Sequence, residues 1–308
     1  MTELIPFNLP GEFLRGSLHA HTNHSDGDLS AEALVDGAVR NGYDFLCITD
    51  HFRPEFNYPI TDARSLGGNR ITIIPSAELH VGETRAGKLW HFTADGLPFD
   101  FEPPRPGETA AELAQRARDA GAFVTIAHPG WYQLTLEDAQ SLPAAHAVEI
   151  YNAGCQAMHD RGDGAYLVDG LLDLGRRILL TAVDDTHYHM PDLALAWVLV
   201  KSKDHSQASI LSALKSGAFY STQGPEIKSL RLVGMKLSIE CTAAKRVLVN
   251  GQGYALAFKA GESITRTTIA LENTPIAKSP WFRVIVTGID GRRAWSNPYW
   301  FADLEVSD

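Results

Sequence analysis

The sequence predicts an α/β domain over residues 1–225, built around a parallel sheet or a (β/α) barrel, followed by a small all-β sandwich over residues 226–308. Three observations predict this fold class. Short apolar runs alternate with helix-like segments up to about residue 225. After Gly224-Pro225, strand-like segments follow one another without helices between them. The 308 residues are 44% hydrophobic and 21% charged, which is ordinary for a globular protein with a sizeable core.

The first part of the chain contains apolar runs of the length that strands have. They are Phe13–Leu18, Phe45–Thr49, Ile71–Ile74, Leu89–Thr93, Phe123–Ala127, Val148–Tyr151, Ile178–Val183 and Trp197–Val200. Helix start signals lie between several of them. Ser30 is expected as the N-cap of a helix over residues 31–41, and Thr109 with Glu112 is expected to form a capping box.

The second part of the chain shows strand-like segments at regular spacing, with Gly, Asn and Pro at the joints, which is typical of a small sandwich. They are Ser229–Val233, Lys236–Cys241, Arg246–Val249, Ala255–Lys259, Thr265–Leu271, Trp281–Thr287 and Arg293–Trp300. We place the domain boundary near residue 226. For this domain we expect a packing or oligomerisation role, with carbohydrate or partner binding as the alternative.

The net charge of the chain narrows the choice of partners. With 37 acidic and 27 basic residues the formal charge is −10, so the protein as a whole repels polyanions, and nucleic acid polymer is not an expected partner. A small phosphorylated substrate is compatible with this charge, because bound metal ions can reverse its sign locally.

Cysteine usage and hydropathy bear on the compartment. Cys47, Cys155 and Cys241 are widely spaced and odd in number, which favours free thiols over a disulfide framework or a thiolate zinc site. No stretch has the roughly 18–20 apolar residues of a membrane helix, and the N-terminus lacks the basic and apolar regions of a signal peptide. We therefore expect a cytoplasmic protein without a membrane partner.

Polar side chains end or follow nearly every apolar run of the first domain. In chain order they are His19, His21, Asp50, His51, Glu78, His91, His128, Glu149, Asn152, Asp184, Asp185 and His187. A single histidine at a strand end is more often structural than functional. The recurrence at successive strands changes that judgement, because the carboxyl ends of barrel strands share one face and these side chains would converge there. The convergence predicts a metal cluster.

The local spacing fits metal binding. Residues i and i+2 of a strand point to the same side, so His19 and His21 can bind one ion, as can Asp185 and His187. Imidazole and carboxylate ligands together favour zinc, manganese or iron(II) over calcium or magnesium. A carboxylate such as Glu78 can bridge two ions, and ions ~3.5–4 Å apart favour in-line displacement at phosphorus.

This series of motifs resembles that of the PHP (polymerase and histidinol phosphatase) domain, a family of metal-dependent phosphoesterases. The series comprises the H-x-H at 19–21, Ser-Asp-Gly at 25–27, Ile-Thr-Asp-His at 48–51, a lone Glu, two separated His and a closing D-x-H. The resemblance covers about residues 13–225 and implies a distorted (β/α)7 TIM-like barrel that commonly holds three metal ions. The motif Ala-Trp-Ser-Asn-Pro at 294–298 also looks like the β extension of some bacterial PHP-like proteins.

Carried over to this chain, the resemblance implies up to three metal sites. The first would use His19, His21, Glu78 and Asp185; Glu78 would bridge to a second site with His91 and His128; the third would use Asp26, His51 and His187. Some family members have a His in place of Asp26, so two or three divalent ions of zinc, manganese or iron are expected. The remaining polar residues, which are His24, His80, Glu149, Asn152, Asp184 and His189, are candidate hydrogen-bond partners of the ligands.

We expect hydrolysis of a small phosphate ester, with a metal-bridging hydroxide attacking phosphorus. Asp185 and His187 are the candidate catalytic side chains. Protonation of the leaving group needs an acid, and His187 and His189 are both chemically suited to it; His187 is also a ligand candidate, so the role stays open between them. Arg53 is a candidate for phosphate binding, and the Trp131-Tyr132 pair and the Pro-rich loop 98–106 are candidates for shaping the pocket. Two alternatives stay open: attack on an amide or lactone at the same site, and metal or carbohydrate binding without catalysis.

Overall fold

The computed structural model describes residues 2–304 and shows a mixed α/β fold around one extended sheet. The strands are β1 (Thr2–Glu3), β2 (Glu12–Ser17), β3 (Phe45–Ile48), β4 (His51–Phe52), β5 (Thr72–Leu79), β6 (Phe92–Asp95), β7 (Phe123–Ile126), β8 (Ala147–Asn152), β9 (Leu179–Val183), β10 (Trp197–Ser202), β11 (Phe219–Thr222), β12 (Ile227–Val233), β13 (Lys236–Gly251), β14 (Leu256–Ala270), β15 (Trp281–Gly288), β16 (Arg293–Ser296) and β17 (Tyr299–Trp300). The α-helices are α1 (Ala31–Arg40), α2 (Arg64–Gly67), α3 (Ala110–Asp119), α4 (Leu136–Gln140), α5 (Ala153–His159), α6 (Ala165–Asp173) and α7 (Gln207–Lys215).

The helix start signals of the sequence are confirmed. The Ser30 side chain accepts a hydrogen bond from Ala33 N at the start of α1. Thr109 and Glu112 form a capping box at the start of α3, each side chain bonding to the backbone of the other. These bonds satisfy amide groups that the first turn of a helix leaves without a partner.

The strands of the first part do not form a regular parallel barrel. Strands β2, β3 and β5 pair in parallel, and so do β7, β8 and β9, but β6 pairs antiparallel with both β5 and β7. Strand β10 pairs antiparallel with β2 and occupies the edge that a closing strand would need. The closed (β/α)7 barrel is therefore not confirmed: among residues 2–304 no ladder joins β9 to β2, and the sheet is not closed. Only an isolated parallel bridge between Ala20 and Thr186 links the described segments that follow these two strands.

Side chains bridge the gap where β9 lies against β11. Ser221 of β11 donates a hydrogen bond to Leu180 O (2.9 Å) and accepts one from Ala182 N (3.0 Å). Asn297 accepts from Leu180 N (3.0 Å) and donates to Phe219 O (2.9 Å). Because a buried strand must satisfy its backbone polar groups, these side chains take the place of a ladder. The Ala-Trp-Ser-Asn-Pro motif thus contributes to holding β9.

The tail continues the sheet of the first part of the chain, so the predicted sandwich is not confirmed. The predicted segments Lys236–Cys241 and Arg246–Val249 belong to one long strand, β13, and Ala255–Lys259 and most of Thr265–Leu271 belong to β14. Strand β16 pairs antiparallel with β11, so the sheet runs from the first part of the chain into the tail. An isolated all-β domain is for this reason not confirmed, and the boundary near residue 226 stays a prediction.

The two parts of the chain also share an apolar core. Trp281 and Trp295 of the tail are buried in the same cluster as Leu171 and other side chains of α6. The three cysteines are buried free thiols, as expected. No helix within residues 2–304 has the length and apolar character needed to cross a membrane.

Candidate metal centre

The structure brings the nine predicted metal ligands together at one end of the strands of the first part. Most of these side chains lie at or shortly after the end of a strand, and Asp26 lies in the loop that follows β2. The nine residues are His19, His21, Asp26, His51, Glu78, His91, His128, Asp185 and His187. His91 directly precedes β6 and does not end it. Because β6 runs antiparallel to its neighbours, its first residues lie at the face where the other strands end.

The first group, which is the deepest, consists of four buried atoms that are not in a well-aligned hydrogen bond: His19 Nε2, His21 Nε2, Glu78 Oε2 and Asp185 Oδ1. His51 Nδ1 also approaches Glu78 Oε2, at 2.6 Å. His19 Nε2 lies 3.2 Å and His21 Nε2 lies 3.3 Å from Asp185 Oδ1. Both lie 3.6 Å from Glu78 Oε2. This set of residues is the one that the resemblance implies for the first metal.

The orientation of His19 shows that this group fits a cation. Its Nδ1 lies 2.7 Å from Glu149 Oε1, and since an ionised carboxylate only accepts, Nδ1 donates. Nε2 faces the carboxylate oxygens of Glu78 and Asp185. Burial opposes a charge on the ring, but Asp185, Glu149 and Glu78 outweigh it and hold the pKa of His19 well above its usual value, so a proton occupies this position when no metal ion does. Acceptors facing one another in a buried space are costly without a positive charge between them. The residues present therefore fit a divalent metal ion.

Both carboxylates of this group are held in the ionised form that a ligand needs. Burial alone would raise the pKa of Asp185, but the neighbouring His19 and His21 outweigh it and hold that pKa well below its usual range. Burial likewise opposes ionisation of Glu78, and His51 and His91 outweigh it, so its pKa is also well below the usual range.

The second group surrounds the other oxygen of Glu78. His91 Nδ1 lies 2.8 Å and His128 Nε2 lies 3.0 Å from Glu78 Oε1. His80, expected only as a hydrogen-bond partner, comes within ligand distance of Glu78 and His91. Its Nε2 lies 2.9 Å from His51 Nδ1. The structure thus places one more imidazole here than the resemblance implies.

The third group lies nearer the solvent. Asp26 Oδ2 lies 3.3 Å from His51 Nε2, and Asp26 Oδ1 lies 3.4 Å from His187 Nε2. His21 is also within ligand distance of these residues. His24, which stands two positions before Asp26, is turned aside, with its Nδ1 3.0 Å from Thr61 Oγ1.

Two of the predicted ligands have a backbone conformation that is unusual for a residue with a side chain. His128 has φ 26° and Asp185 has φ 53°. Such left-handed conformations cost on the order of 1–3 kcal/mol and persist only where surrounding bonds impose them. Here His128 N donates to Glu149 Oε2 (2.6 Å), and Asp185 N donates to His19 O (3.1 Å).

Two acidic side chains that are not predicted ligands form hydrogen bonds to the loops that carry the ligands. Asp50 accepts from Thr22 N (2.7 Å) and Ser25 Oγ (2.9 Å), which fixes the loop leading to Asp26. Asp192 accepts from His187 N (3.1 Å). Asp50 could have been suspected from its place beside His51, whereas Asp192 lies in a loop without a spacing signal.

An open cavity of about 860 Å³ leads to the centre. Besides the predicted ligands it is lined by Arg53, Lys88, Leu89, Trp131, Tyr132, Gln133, Gly154, Cys155, Met158, His159, Arg161 and His189. Trp131 and Tyr132 thus line the pocket, as expected, whereas residues 98–106 do not. The predicted phosphate-binding Arg53 is at the wall and forms an ion pair with Glu55.

A mixed α/β sheet with His, Asp and Glu clusters at its strand ends is typical of metal-dependent hydrolases. Residues 17–161 match the family model of the PHP domain. This match confirms the family resemblance for that part of the chain. The ligands from His19 to His128 lie within the matched residues, and Asp185 and His187 lie beyond them.

Two known proteins are similar to this chain. A crystal structure of a two-domain protein from Bacteroides vulgatus, described as containing a predicted PHP-like metal-dependent phosphoesterase, superposes with a TM-score of 0.54 at 16% identity and covers 96% of this chain and 97% of its own. The 5'-3' exoribonuclease Rnm of Escherichia coli K12 is 30% identical over 139 residues, 42% of this chain and 44% of that protein. The chain therefore matches less than half the length of this relative.

Proposed function

We propose that this protein hydrolyses a small phosphate ester at the metal centre. The observation that carries the proposal is the set of four buried ligand atoms of His19, His21, Glu78 and Asp185 that face one another. Glu78 and Asp185 also line an open cavity. Divalent ions held there would supply the Lewis acidity and the activated water that attack at phosphorus requires. The PHP domain match over residues 17–161 supports the same class of reaction.

The chain's own side chains contribute positioning and charge. Glu78 contacts the first group through one oxygen and His91 and His128 through the other, so it is placed to join two positions. Arg53 and Lys88 line the cavity and bring positive charge to the approach of an anionic substrate. His187 and His189 line the same cavity, and we propose one of them as proton donor to the leaving group. His187 can act in this way only where its Nε2 does not bind an ion of the third group, whereas His189 is outside the ligand groups.

A second candidate is cleavage of a phosphodiester at the end of an oligonucleotide. It is favoured by the name of the exoribonuclease relative, which matches 42% of this chain. Arg161 and Lys88 at the cavity wall offset locally the net charge that argues against a polyanion. A phosphomonoester panel tested beside short single-stranded oligonucleotides separates the two candidates.

Replacing His19 or Asp185 by Ala tests the proposed function. Each change removes one of the four facing ligand atoms, so we expect loss of bound transition metal and at least a hundredfold loss of phosphatase turnover, about 2.7 kcal/mol or more in activation free energy. Elemental analysis and aryl phosphate hydrolysis measure the two effects. His205→Ala is the control, because His205 is exposed and pairs only with Glu12.

Turnover assays of the metal-loaded unsubstituted protein identify the reaction class. Turnover of phosphomonoesters with none of amides or lactones supports the proposal. Turnover of an amide or lactone panel instead would replace it with the alternative reaction, and a His19→Ala variant that lost metal but kept full turnover would contradict the metal mechanism.

A further inference from the structure

The carboxyl end of β8 carries a buried carboxylate that joins two of the ligand groups. Glu149 is 1% exposed. His19 Nδ1 donates to its Oε1 (2.7 Å), and His128 N donates to its Oε2 (2.6 Å). A third donor, Asn152 Nδ2, lies 2.9 Å from the same Oε2. One side chain thus contacts the imidazole of a first-group ligand and the backbone of a second-group ligand.

Asn152 extends this connection to a further ligand. Its Nδ2 also donates to Asp185 Oδ2 (2.9 Å), the oxygen that does not face the first group. Its Oδ1 accepts from Cys155 N (2.8 Å), as the N-cap of α5. Because both ends of the amide are bonded, its orientation is fixed, and the donor hydrogens must point at the two carboxylates.

We propose that Glu149 and Asn152 act together as positioning residues for the first metal position, setting the tautomer of His19, the rotation of the Asp185 carboxylate and the backbone of His128. This inference rests on the proposed function, since it takes the four facing atoms to be metal ligands. The hydrogen-bond partners of metal-binding side chains commonly control metal affinity.

The identity of residue 149 follows from the character of its neighbours. All three groups that face Glu149 are donors, and they approach both of its oxygens. Only a carboxylate offers acceptors on both sides. A Gln at this position would turn its NH₂ group against either His19 Nδ1 or the amides of His128 and Asn152.

Glu149 also bears on the backbone conformation of His128. The left-handed backbone of His128 is unfavourable for a residue with a side chain. The bond from its N to Glu149 helps to impose that conformation. The third group, Asp26, His51 and His187, has no bond to Glu149 or Asn152, so its metal affinity should be independent of both.

The test compares metal binding by the unsubstituted chain and by Glu149→Gln. Co²⁺ is the probe, with affinity measured by chelator competition and ligand geometry by the visible absorption spectrum. We expect the tightest site of Glu149→Gln to bind Co²⁺ about 10–100-fold more weakly and with an altered spectrum. Glu108→Gln is the matched control, since Glu108 is also a nearly buried, ion-paired carboxylate but lies outside the centre.

Asn152→Ala provides a second measurement. It removes both amide donors while Glu149 keeps its bonds to His19 and His128, and we expect about tenfold weaker binding at the same site. Unchanged Co²⁺ affinity and spectrum in either variant, with circular dichroism like that of the unsubstituted chain, would overturn the inference. Failure of the unsubstituted chain to bind Co²⁺ would instead overturn the proposed function.

Discussion

Histidines in this chain differ in role because their surroundings differ, and His146 shows this outside the metal centre. His146 is half-buried, and its Nδ1 accepts a hydrogen bond from Val124 N (3.0 Å). Burial, with the nearby Arg118 and Lys215, lowers its pKa to about 4. The ring is therefore neutral at pH 7 and serves as a hydrogen-bond acceptor for β7.

The low pKa of His146 predicts a pH-dependent loss of stability. Below pH 6.5 the unfolded chain binds a proton at His146 that the folded chain binds only near pH 4, so the free energy of unfolding falls as pH decreases across this window. His146→Asn keeps an acceptor near the Nδ1 position and removes the titration. The variant should not lose this stability on acidification. Allowing for the half-exposed ring, we expect the free energy of unfolding of the variant, relative to that of the unsubstituted protein, to rise by about 1 kcal/mol when the pH is lowered from 7 to 4.5.

Urea denaturation at a series of pH values measures this difference. The metal content of the two proteins must be the same, so that titration of the centre cancels in the comparison. Parallel pH profiles for the two proteins would show that His146 is protonated equally in the folded and unfolded states, contrary to the prediction.

At the scale of elements, no backbone ladder joins β9 to β11 among the described residues, and side chains form hydrogen bonds to the backbone of β9 instead. Ser221 bonds to Leu180 O and Ala182 N, and Asn297 bonds to Leu180 N. Strand β9 leads directly to Asp185 and His187, so its position sets the place of two predicted ligands. The bonds from Ser221 therefore bear on the metal centre as well as on stability.

We expect Ser221→Ala to lower the free energy of unfolding by about 1–3 kcal/mol, because it leaves the buried Ala182 N and Leu180 O with one partner fewer. Thermal or urea denaturation measures the change. Ser238→Ala is the control, since Ser238 is more exposed and, among residues 2–304, its hydroxyl bonds only to Thr268 Oγ1. Equal stability of the two variants would show that water or a backbone shift replaces the lost bonds.

On the scale of the whole molecule, the tail and the first part are joined by strand pairing, a shared core and an ion pair whose arginine is buried and whose aspartate is partly exposed. The Arg283 guanidinium of β15 donates to both oxygens of Asp169 in α6, at 2.8 Å each. The Arg283 side chain is 2% exposed. We infer from these connections that the two parts unfold together.

Asp169→Ala tests this coupling. It leaves Arg283 buried without its counter-charge, and we expect a loss of about 3 kcal/mol in the free energy of unfolding. Asp62→Ala is the control, because the Asp62–Arg64 pair is exposed and screened by solvent, so its loss should leave the unfolding midpoint nearly unchanged. A single unfolding transition at a lowered midpoint is expected; two separate transitions would contradict the coupling of the parts.

The sequence determined where the ligands of the candidate centre would gather. Strand ends can be recognised from local periodicity, and parallel strands present those ends on one face, so residues such as His19, Glu78 and Asp185 could be grouped before any contact was known. Helix caps were equally accessible, because Thr109 and Glu112 act within one turn.

Only the tertiary structure decided which strands pair and which polar residues support the centre. The antiparallel course of β6 and the pairing of β16 with β11 depend on partners distant in sequence, which local periodicity does not encode. Glu149 and Asn152 stand at a strand end like many other polar residues. Their connection to His19 and Asp185 exists because folding brings donors and acceptors within 3 Å of one another at positions buried from bulk solvent.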